Sequence, residues 1–276
     1  MKFHPETSVK SACLLALASA ALTSATAVSL PVTYYDFLGE NSPPTMGRTV
    51  HPDFNLLARG APTTGLVQSL VGPTGPLFLS NLGVPPNAAR PQLTTAPNLA
   101  MWYTSVPAFN DVIPSTLNAV SVGSEGQRQF NYPSNFFPIN GQGLGNYAAT
   151  GNNFHFTMSY SQAFTYDATK ANLFDFAADD DLYIFINGQL WVEIGGIHPV
   201  GTVGTYDLNT AAAGLGLVDG GVYQYQLFFA ERHTSQSALI ATLPAPVPEA
   251  SAFAPALALG GFAGLMAIRR RKARTA

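Results

Sequence analysis

The chain has 276 residues, of which 47% are hydrophobic and 11% are charged. Most of the basic side chains lie in the two terminal segments, so residues 28–249 hold six basic and fifteen acidic residues and a net charge of −9 before histidine. This excess of acidic residues argues against nucleic-acid binding, because such binding needs basic side chains that neutralise the phosphates. It is compatible with binding of divalent cations or of neutral glycans. The single cysteine, Cys13, excludes a disulfide or a thiolate site in the residues that follow it.

The N-terminal segment has the pattern of a secretory signal peptide. Two lysines precede an apolar run over residues 11–22, and Ala25 and Ala27 form the small-x-small pattern that signal peptidase cleaves. We therefore predict that residues 1–27 are removed during export. Residues 28–246 are predicted to form one domain, since all-β domains often contain about 200–250 residues.

The central segment is predicted to be all-β. Short apolar runs alternate with clusters of glycine, proline, asparagine and serine, and helical periodicity is scarce. Residues 60–100 contain many prolines and glycines and are predicted to be irregular. Strands are predicted over residues 32–37, 153–160, 163–166, 173–176 and 222–230.

A β-hairpin is predicted over residues 182–194. Asn187-Gly188 lies between two apolar runs, which favours a type I′ turn because that turn needs a positive φ at both central residues. Both faces of the hairpin are largely apolar, so we expect it to be covered on both sides. The predicted register pairs Ile186 with Gln189, Ile184 with Trp191, and Leu182 with Glu193.

The last predicted strand, residues 222–230, also has two partly apolar faces. Alternation places Tyr223, Tyr225, Leu227 and Phe229 on one face, while Phe228 and Ala230 end the other. Strands with apolar side chains on both faces need a packed layer against each face. The sequence therefore predicts an antiparallel two-sheet β-sandwich of jelly-roll type.

Three consecutive aspartates, Asp179, Asp180 and Asp181, precede the hairpin. Their carboxylates repel one another and would have raised pKa values unless a cation compensates. The hairpin register brings Gly195 and Gly196 to the same end, where backbone can approach closely. Carboxylate and carbonyl oxygens suit Ca²⁺, which makes these aspartates candidate metal ligands. The alternative is a solvated acidic loop without a ligand.

Other side chains compete for the same position. Glu231, Arg232 and His233 end the last strand, and His198 ends the hairpin. His198, Glu231 and His233 are therefore further candidate ligands, whereas Arg232 offers an alternative in which its guanidinium neutralises the aspartates. Two other histidines are predicted to be structural, His51 by fixing a loop and His155 by packing in an aromatic strand.

Enzyme motifs are absent from the sequence. There is no G-x-S-x-G elbow or H-E-x-x-H pattern. The glycine-rich residues 141–145 lack the strand-to-helix context of a phosphate loop. A polysaccharide hydrolase stays a minor alternative, because Glu193 or Glu231 could partner an aspartate across a cleft.

The C-terminal segment resembles a PEP-CTERM sorting signal. Val247, Pro248 and Glu249 precede an apolar stretch at residues 252–268 and a basic tail at residues 269–274. The stretch is at the short end of a membrane span, and Ala250 stands where the family usually has proline. The resemblance implies processing by an exosortase-type membrane protease and release to the cell surface or matrix; a permanent transmembrane anchor is the alternative.

Several blocks of the central segment resemble the fibro-slime domain. Taken together they span most of residues 31–243, in the family's order. The resemblance implies a surface protein whose β-sandwich looks related to those of anthrax protective antigen and the flocculin lectins. The blocks with the strongest resemblance are residues 131–139, 153–157, 164–166, 179–188, 195–198 and 228–233.

The wider lectin group implies a function. In some members, two consecutive aspartates joined by a cis peptide hold Ca²⁺, and the ion holds sugar hydroxyls. Asp179 and Asp180 match that pair, and Asn209 is a candidate for the asparagine that completes the lectin site. The resemblance predicts an exported, noncatalytic protein that binds exopolysaccharide or a surface glycan with the help of calcium. A purely structural matrix protein is the alternative.

Overall fold

The computed structural model describes residues 27–39, 47–54, 59–79 and 94–247. The predicted signal peptide, apart from Ala27, and the predicted sorting segment after Val247 lie outside the described residues. Within the described ranges, no helix is both long enough and apolar enough to cross a membrane.

Antiparallel strands dominate the described residues, which confirms the all-β prediction. The strands join in one ten-stranded sheet with the order β7-β6-β9-β4-β1-β2-β3-β10-β5-β8. Two helices of a single turn, α1 (Ala96–Leu99) and α2 (Leu208–Ala211), lie in the connections. The strands are β1 (Ala27–Phe37), β2 (Asn110–Ser121), β3 (Arg128–Tyr132), β4 (Phe156–Thr165), β5 (Leu173–Asp179), β6 (Asp181–Ile186), β7 (Gln189–Ile194), β8 (Gly204–Asp207), β9 (Val222–Glu231) and β10 (Ala238–Leu243).

The sheet curls until its two ends meet. Trp191 on β7 lies at one end of the strand order. Its ring centroid is 5.3 Å from that of Phe174 and 5.8 Å from that of Phe176, both on β5 near the other end. The main core is enclosed between the two halves of the curled sheet and draws side chains from both.

One continuous sheet therefore replaces the two separate sheets that the sequence predicted. The strand β2 explains the difference, because it belongs to both halves. It pairs with β1 along the whole length of that strand, and its end pairs with β3 through Val120 and Ser121.

A second apolar cluster covers the outer face of β6 and β9. It contains Phe54, Leu66 and Trp102 from the loop segments together with Tyr183 and Phe228 from the strands. The predicted division of β9 is confirmed, because Tyr225, Leu227 and Phe229 lie in the main core while Phe228 and Ala230 lie in this second cluster.

The hairpin of β6 and β7 has the predicted turn but not the predicted register. Asn187 and Gly188 have φ values of 53° and 73°, as a type I′ turn requires. Ile186 pairs with Gln189 as expected, but a β-bulge between Ile184 and Phe185 shifts the remaining pairs by one residue. The predicted pairs of Ile184 with Trp191 and Leu182 with Glu193 are wrong; the observed partners of Ile184 and Leu182 are Val192 and Ile194.

Candidate functional site

The aspartate run lies where the chain passes between distant strands of the sheet. Asp179 ends β5 and pairs with Ala238 of β10, whereas Asp181 begins β6 and pairs with Ala230 of β9. Asp180 connects these two strands, and the peptide bond between Asp179 and Asp180 is cis. The residue after Ala230 is Glu231, so the end of β9 brings a further carboxylate to the same place.

Asp179, Asp180 and Glu231 form a compact acidic cluster. Each contributes a carboxylate oxygen to a group whose members lie within 4.8 Å of one another. The side chains are buried, with exposed fractions of 1%, 0% and 0% respectively. We call these three residues the acidic cluster.

Main-chain N–H groups donate hydrogen bonds to two of the three carboxylates in the acidic cluster. Asp180 accepts hydrogen bonds from the backbone of His198 at 3.1 Å and of Arg232 at 2.9 Å. Glu231 accepts one from the backbone of His233 at 3.1 Å. The Oδ2 atom of Asp179 and the Oε2 atom of Glu231 are buried without a hydrogen-bond partner among the described residues. Such atoms lose hydration without compensation, which is costly for a carboxylate.

Asp181 is excluded from this cluster by its own partners. Its Oδ2 atom accepts a hydrogen bond from Arg232 at 3.2 Å, and both side chains are fully buried. Its Oδ1 atom accepts from the hydroxyl of Tyr183 at 2.8 Å and from the backbone of Gly196 at 2.6 Å. Arg232 also donates from Nε to the carbonyl of Asp53 and lies 4.9 Å from the ring centroid of Trp102. The guanidinium of Arg232 thus pairs directly with Asp181, and its charge also lowers the pKa of Asp180, which burial raises.

Burial raises the pKa of every carboxyl in the acidic cluster, and repulsion between carboxylates raises it further at Asp180 and Glu231. Burial raises the pKa of Asp180 well above its ordinary value, and the charges of Asp179 and Asp181 raise it further. Burial followed by the charges of Asp180 and Asp179 does the same to the pKa of Glu231. Burial also raises the pKa of Asp179. A bound cation would remove this penalty by favouring the ionised forms.

The residues present fit a hard divalent cation. Each member of the cluster offers an oxygen, and by hydrogen-bond geometry the Oδ2 atom of Asp179 and the Oε2 atom of Glu231 have no partner among the described residues. An all-oxygen donor set suits Ca²⁺ better than the softer transition metals. Asp179, Asp180 and Glu231 would hold the ion, and the ion would supply open positions for hydroxyl ligands.

The remaining candidate ligands lie at different distances from the cluster. His198 is adjacent through its main chain, and its Nδ1 atom lies 2.9 Å from the carbonyl oxygen of Pro199. The ring of His233 contacts the Ser235 hydroxyl at 3.0 Å. Asn209 is not brought to the cluster, since its amide bonds instead to Tyr166, Asn172 and Lys170.

The two histidines that were predicted to be structural, His51 and His155, pack against aromatic rings. His51 accepts a hydrogen bond from the backbone of Asp53 at 3.2 Å and packs edge-on against Phe37. His155 packs edge-on against Phe54 and Tyr147. Burial lowers the pKa of each imidazole to about 4, so both rings are neutral near neutral pH.

A cavity of about 200 Å³ adjoins the acidic cluster, and Asp179 forms part of its wall. We call it the near cavity. The aromatic rings of Phe137 and Phe154 line one part of it. Sequence reasoning missed its polar lining, because these residues come from separate loops and carry no motif. They are Ser134, Asn135, Thr150, Asn152, Ser235, Gln236 and Ser237.

The chain is similar in sequence to psi proteins of Dictyostelium discoideum. It is 39% identical to protein psiD over 146 residues and 30% identical to protein psiB over 244 residues, which is 50% and 82% of this chain. It spans only 27% and 40% of those two relatives. No protein-family model matches the chain, so the resemblances to the fibro-slime domain and to the PEP-CTERM signal stay predictions.

Solved structures give a weaker likeness. A PA14 sugar-binding domain from an RTX adhesin aligns with a TM-score of 0.27 and 17% identity, over 42% of this chain and 68% of that domain. At so low a TM-score, the likeness decides neither the fold nor the ligand of this chain.

Proposed function

We propose that this chain is an exported, noncatalytic binding module in which the acidic cluster holds Ca²⁺ and the near cavity binds carbohydrate. One observation carries the proposal. The buried carboxylates of Asp179, Asp180 and Glu231 include two oxygens without a hydrogen-bond partner among the described residues, and Asp179 also lines the near cavity. A cation at the cluster would therefore lie at the cavity wall.

The near cavity supports a sugar as the ligand. Its volume of about 200 Å³ is below the range of about 300–1,000 Å³ typical of drug-sized ligands, and it suits one sugar ring. Hydroxyl and amide groups dominate its polar wall, and Phe137 offers an apolar surface. Calcium bound at Asp179 would add coordination of sugar hydroxyls, as the resemblance to the flocculin lectins implies.

The arrangement of the carboxylates favours binding over catalysis. A glycosidase needs two carboxylates about 5–10 Å apart on opposite sides of the scissile bond. Here the contributing oxygens of the acidic cluster lie within 4.8 Å of one another. A single ion could contact all three of these oxygens.

The terminal segments support an address outside the cytoplasm. With a signal peptide cleaved after Ala27 and a sorting segment that begins at Val247, the module would reach the cell surface or matrix through signal peptidase and an exosortase-type protease. Exopolysaccharide or a surface glycan would then be its partner. Mass spectrometry of the protein recovered from the cell surface tests this route; a C-terminus near Glu249 is expected, and an intact basic tail would contradict it.

A glycan array tests the binding function. The wild-type protein should bind sugars in Ca²⁺ but not in EGTA, and Asp180→Asn should not bind in either buffer. Asp219→Asn is the matched control, because Asp219 is an exposed aspartate that accepts a hydrogen bond from the backbone of Ala168. Absence of calcium-dependent binding by a folded wild-type protein would refute the proposal and favour the purely structural alternative.

A further inference from the structure

A second, larger cavity continues from the near cavity. It has a volume of about 460 Å³ and is open to solvent along one side. Asn135 and Phe137 line both cavities, so the two are neighbours that share a wall. We call the second one the far cavity; its other polar lining residues are Ser29, Thr116, Asn118 and Tyr132.

The shared wall is suited to contact a ligand on both sides. Asn135 has a left-handed backbone with φ of 55° and an exposed side chain. The exposed side-chain amide offers two donors and an acceptor to a ligand. The ring of Phe137 is held against that of Phe154, with centroids 4.6 Å apart.

The far cavity has an uncharged wall. No Asp, Glu, Lys, Arg or His is among the described residues that line it. The Tyr132 hydroxyl donates to the carbonyl of Asn118 at 2.9 Å, and the Ser29 hydroxyl donates to the side chain of Asn118 at 2.6 Å. These bonds fix polar groups around the half-buried ring of Tyr132, which packs 5.1 Å from that of Phe136. Such a surface matches the apolar face and the hydroxyl rim of a neutral sugar.

We propose that the two cavities form one binding groove for a linear, neutral oligosaccharide. One sugar would occupy the near cavity beside the acidic cluster, and the following sugars would pass over Asn135 and Phe137 into the far cavity. The far cavity has more than twice the volume of the near cavity, so it has room for more than one sugar. This inference rests on the proposed carbohydrate function and specifies the ligand as several consecutive sugars of a linear chain.

Binding as a function of chain length tests the groove. The probes are neutral oligosaccharides of glucose, galactose and mannose, printed from monosaccharide to hexasaccharide and measured in Ca²⁺ and in EGTA. The wild-type protein should bind the hexasaccharide of its preferred sugar about tenfold or more tightly than the monosaccharide. Thr116→Trp, which places an indole ring in the path of the chain through the far cavity, should lower that ratio.

Thr165→Trp is the matched control. Thr165 is likewise exposed on a strand but does not line either cavity, so the ratio should stay at its wild-type value. A melting curve verifies that each variant is folded before binding is measured.

Two results would overturn the groove, and they are distinguishable. Calcium-dependent binding with equal affinity for all lengths, or a length dependence unchanged in Thr116→Trp, removes the groove and leaves the proposed function intact. Absence of binding to every neutral sugar by the folded wild-type protein removes the groove together with the carbohydrate function.

Discussion

Replacing Arg232 with methionine should destabilise the protein severely. The guanidinium of Arg232 and the carboxylate of Asp181 are both fully buried and 3.2 Å apart. Removing one partner of a buried ion pair leaves an uncompensated charge and typically costs about 3–5 kcal/mol. The guanidinium also lies 4.9 Å from the ring centroid of Trp102, a cation–π contact worth about 2 kcal/mol or more when desolvated. Because these effects share one side chain, we expect a total loss near the upper end of about 3–5 kcal/mol.

Urea denaturation in EGTA near neutral pH measures this loss. Arg48→Met is the matched control, because Arg48 pairs with Asp111 but their side chains are 21% and 28% exposed. That pair should contribute about 0–1 kcal/mol. If Arg232→Met costs no more than Arg48→Met, the reasoning that Arg232 neutralises Asp181 is refuted.

A second variant keeps the test possible if Arg232→Met does not fold. Arg232→Lys keeps the positive charge but loses the planar donor geometry, so it should be intermediate in stability. The calcium-induced rise in melting temperature should persist in this variant, because Arg232 contacts Asp180 through its main-chain N–H. Loss of that rise in folded Arg232→Lys would indicate that the side chain takes part in the acidic cluster.

Two further perturbations test other parts of the fold. Burial raises the pKa of Asp36 to about 7. The unfolded chain ionises at lower pH, so this carboxyl should lower the free energy of unfolding by about 4 kcal/mol as the pH rises from about 4 to about 7. Urea denaturation across that range should show that the free energy of unfolding depends less on pH in Asp36→Asn than in the wild-type protein. An unchanged pH dependence would contradict the raised pKa of Asp36. In Gly195→Ala, the new Cβ would lie 2.6 Å from Leu66 Cδ1 and 2.9 Å from the backbone carbonyl oxygen of Thr63, so the free energy of unfolding should fall by about 1–3 kcal/mol. Gly201→Ala, where the Cβ position is open, should change stability by less than about 0.5 kcal/mol; equal losses would contradict the packing of Leu66 on Gly195.

Local sequence signals predicted the hairpin turn but not its bulge. Asn187-Gly188 specifies positive φ values at adjacent residues, and that requirement is met within the turn itself. The bulge at Ile184 and Phe185 has no such local signal. The extra residue is Trp191 on β7, whose ring packs against Phe174 and Phe176 of β5, and a single sequence does not reveal that contact.

The longest strand of the sheet escaped prediction for a related reason. β2 contains Pro114 and several exposed polar residues, and proline ordinarily argues against a strand interior. Pairing with β1 along its whole length overrides that preference. β2 lies between β1 and β3 in the strand order and so joins the two layers, which the apolar strand faces predicted, into one sheet.

The candidate site was predicted in part. The aspartate run and Glu231 are visible in the sequence, and Arg232 was recognised as a competitor. Which aspartate pairs with Arg232 depends on the exact crossing from β5 to β6, and this is a tertiary feature. The near cavity is built from loops that are far apart in the sequence, so its lining residues could not be selected in advance.

Calcium-dependent thermal stability tests the central claim most directly. At a Ca²⁺ concentration of about 100 times the dissociation constant, binding should add about 2.7 kcal/mol, which corresponds to a rise in melting temperature of about 5–10 °C for a domain of this size. Asp180→Asn combined with Glu231→Gln should abolish that rise, because both substitutions remove carboxylate charge from the acidic cluster. An identical melting temperature of the wild-type protein in Ca²⁺ and in EGTA would contradict the account.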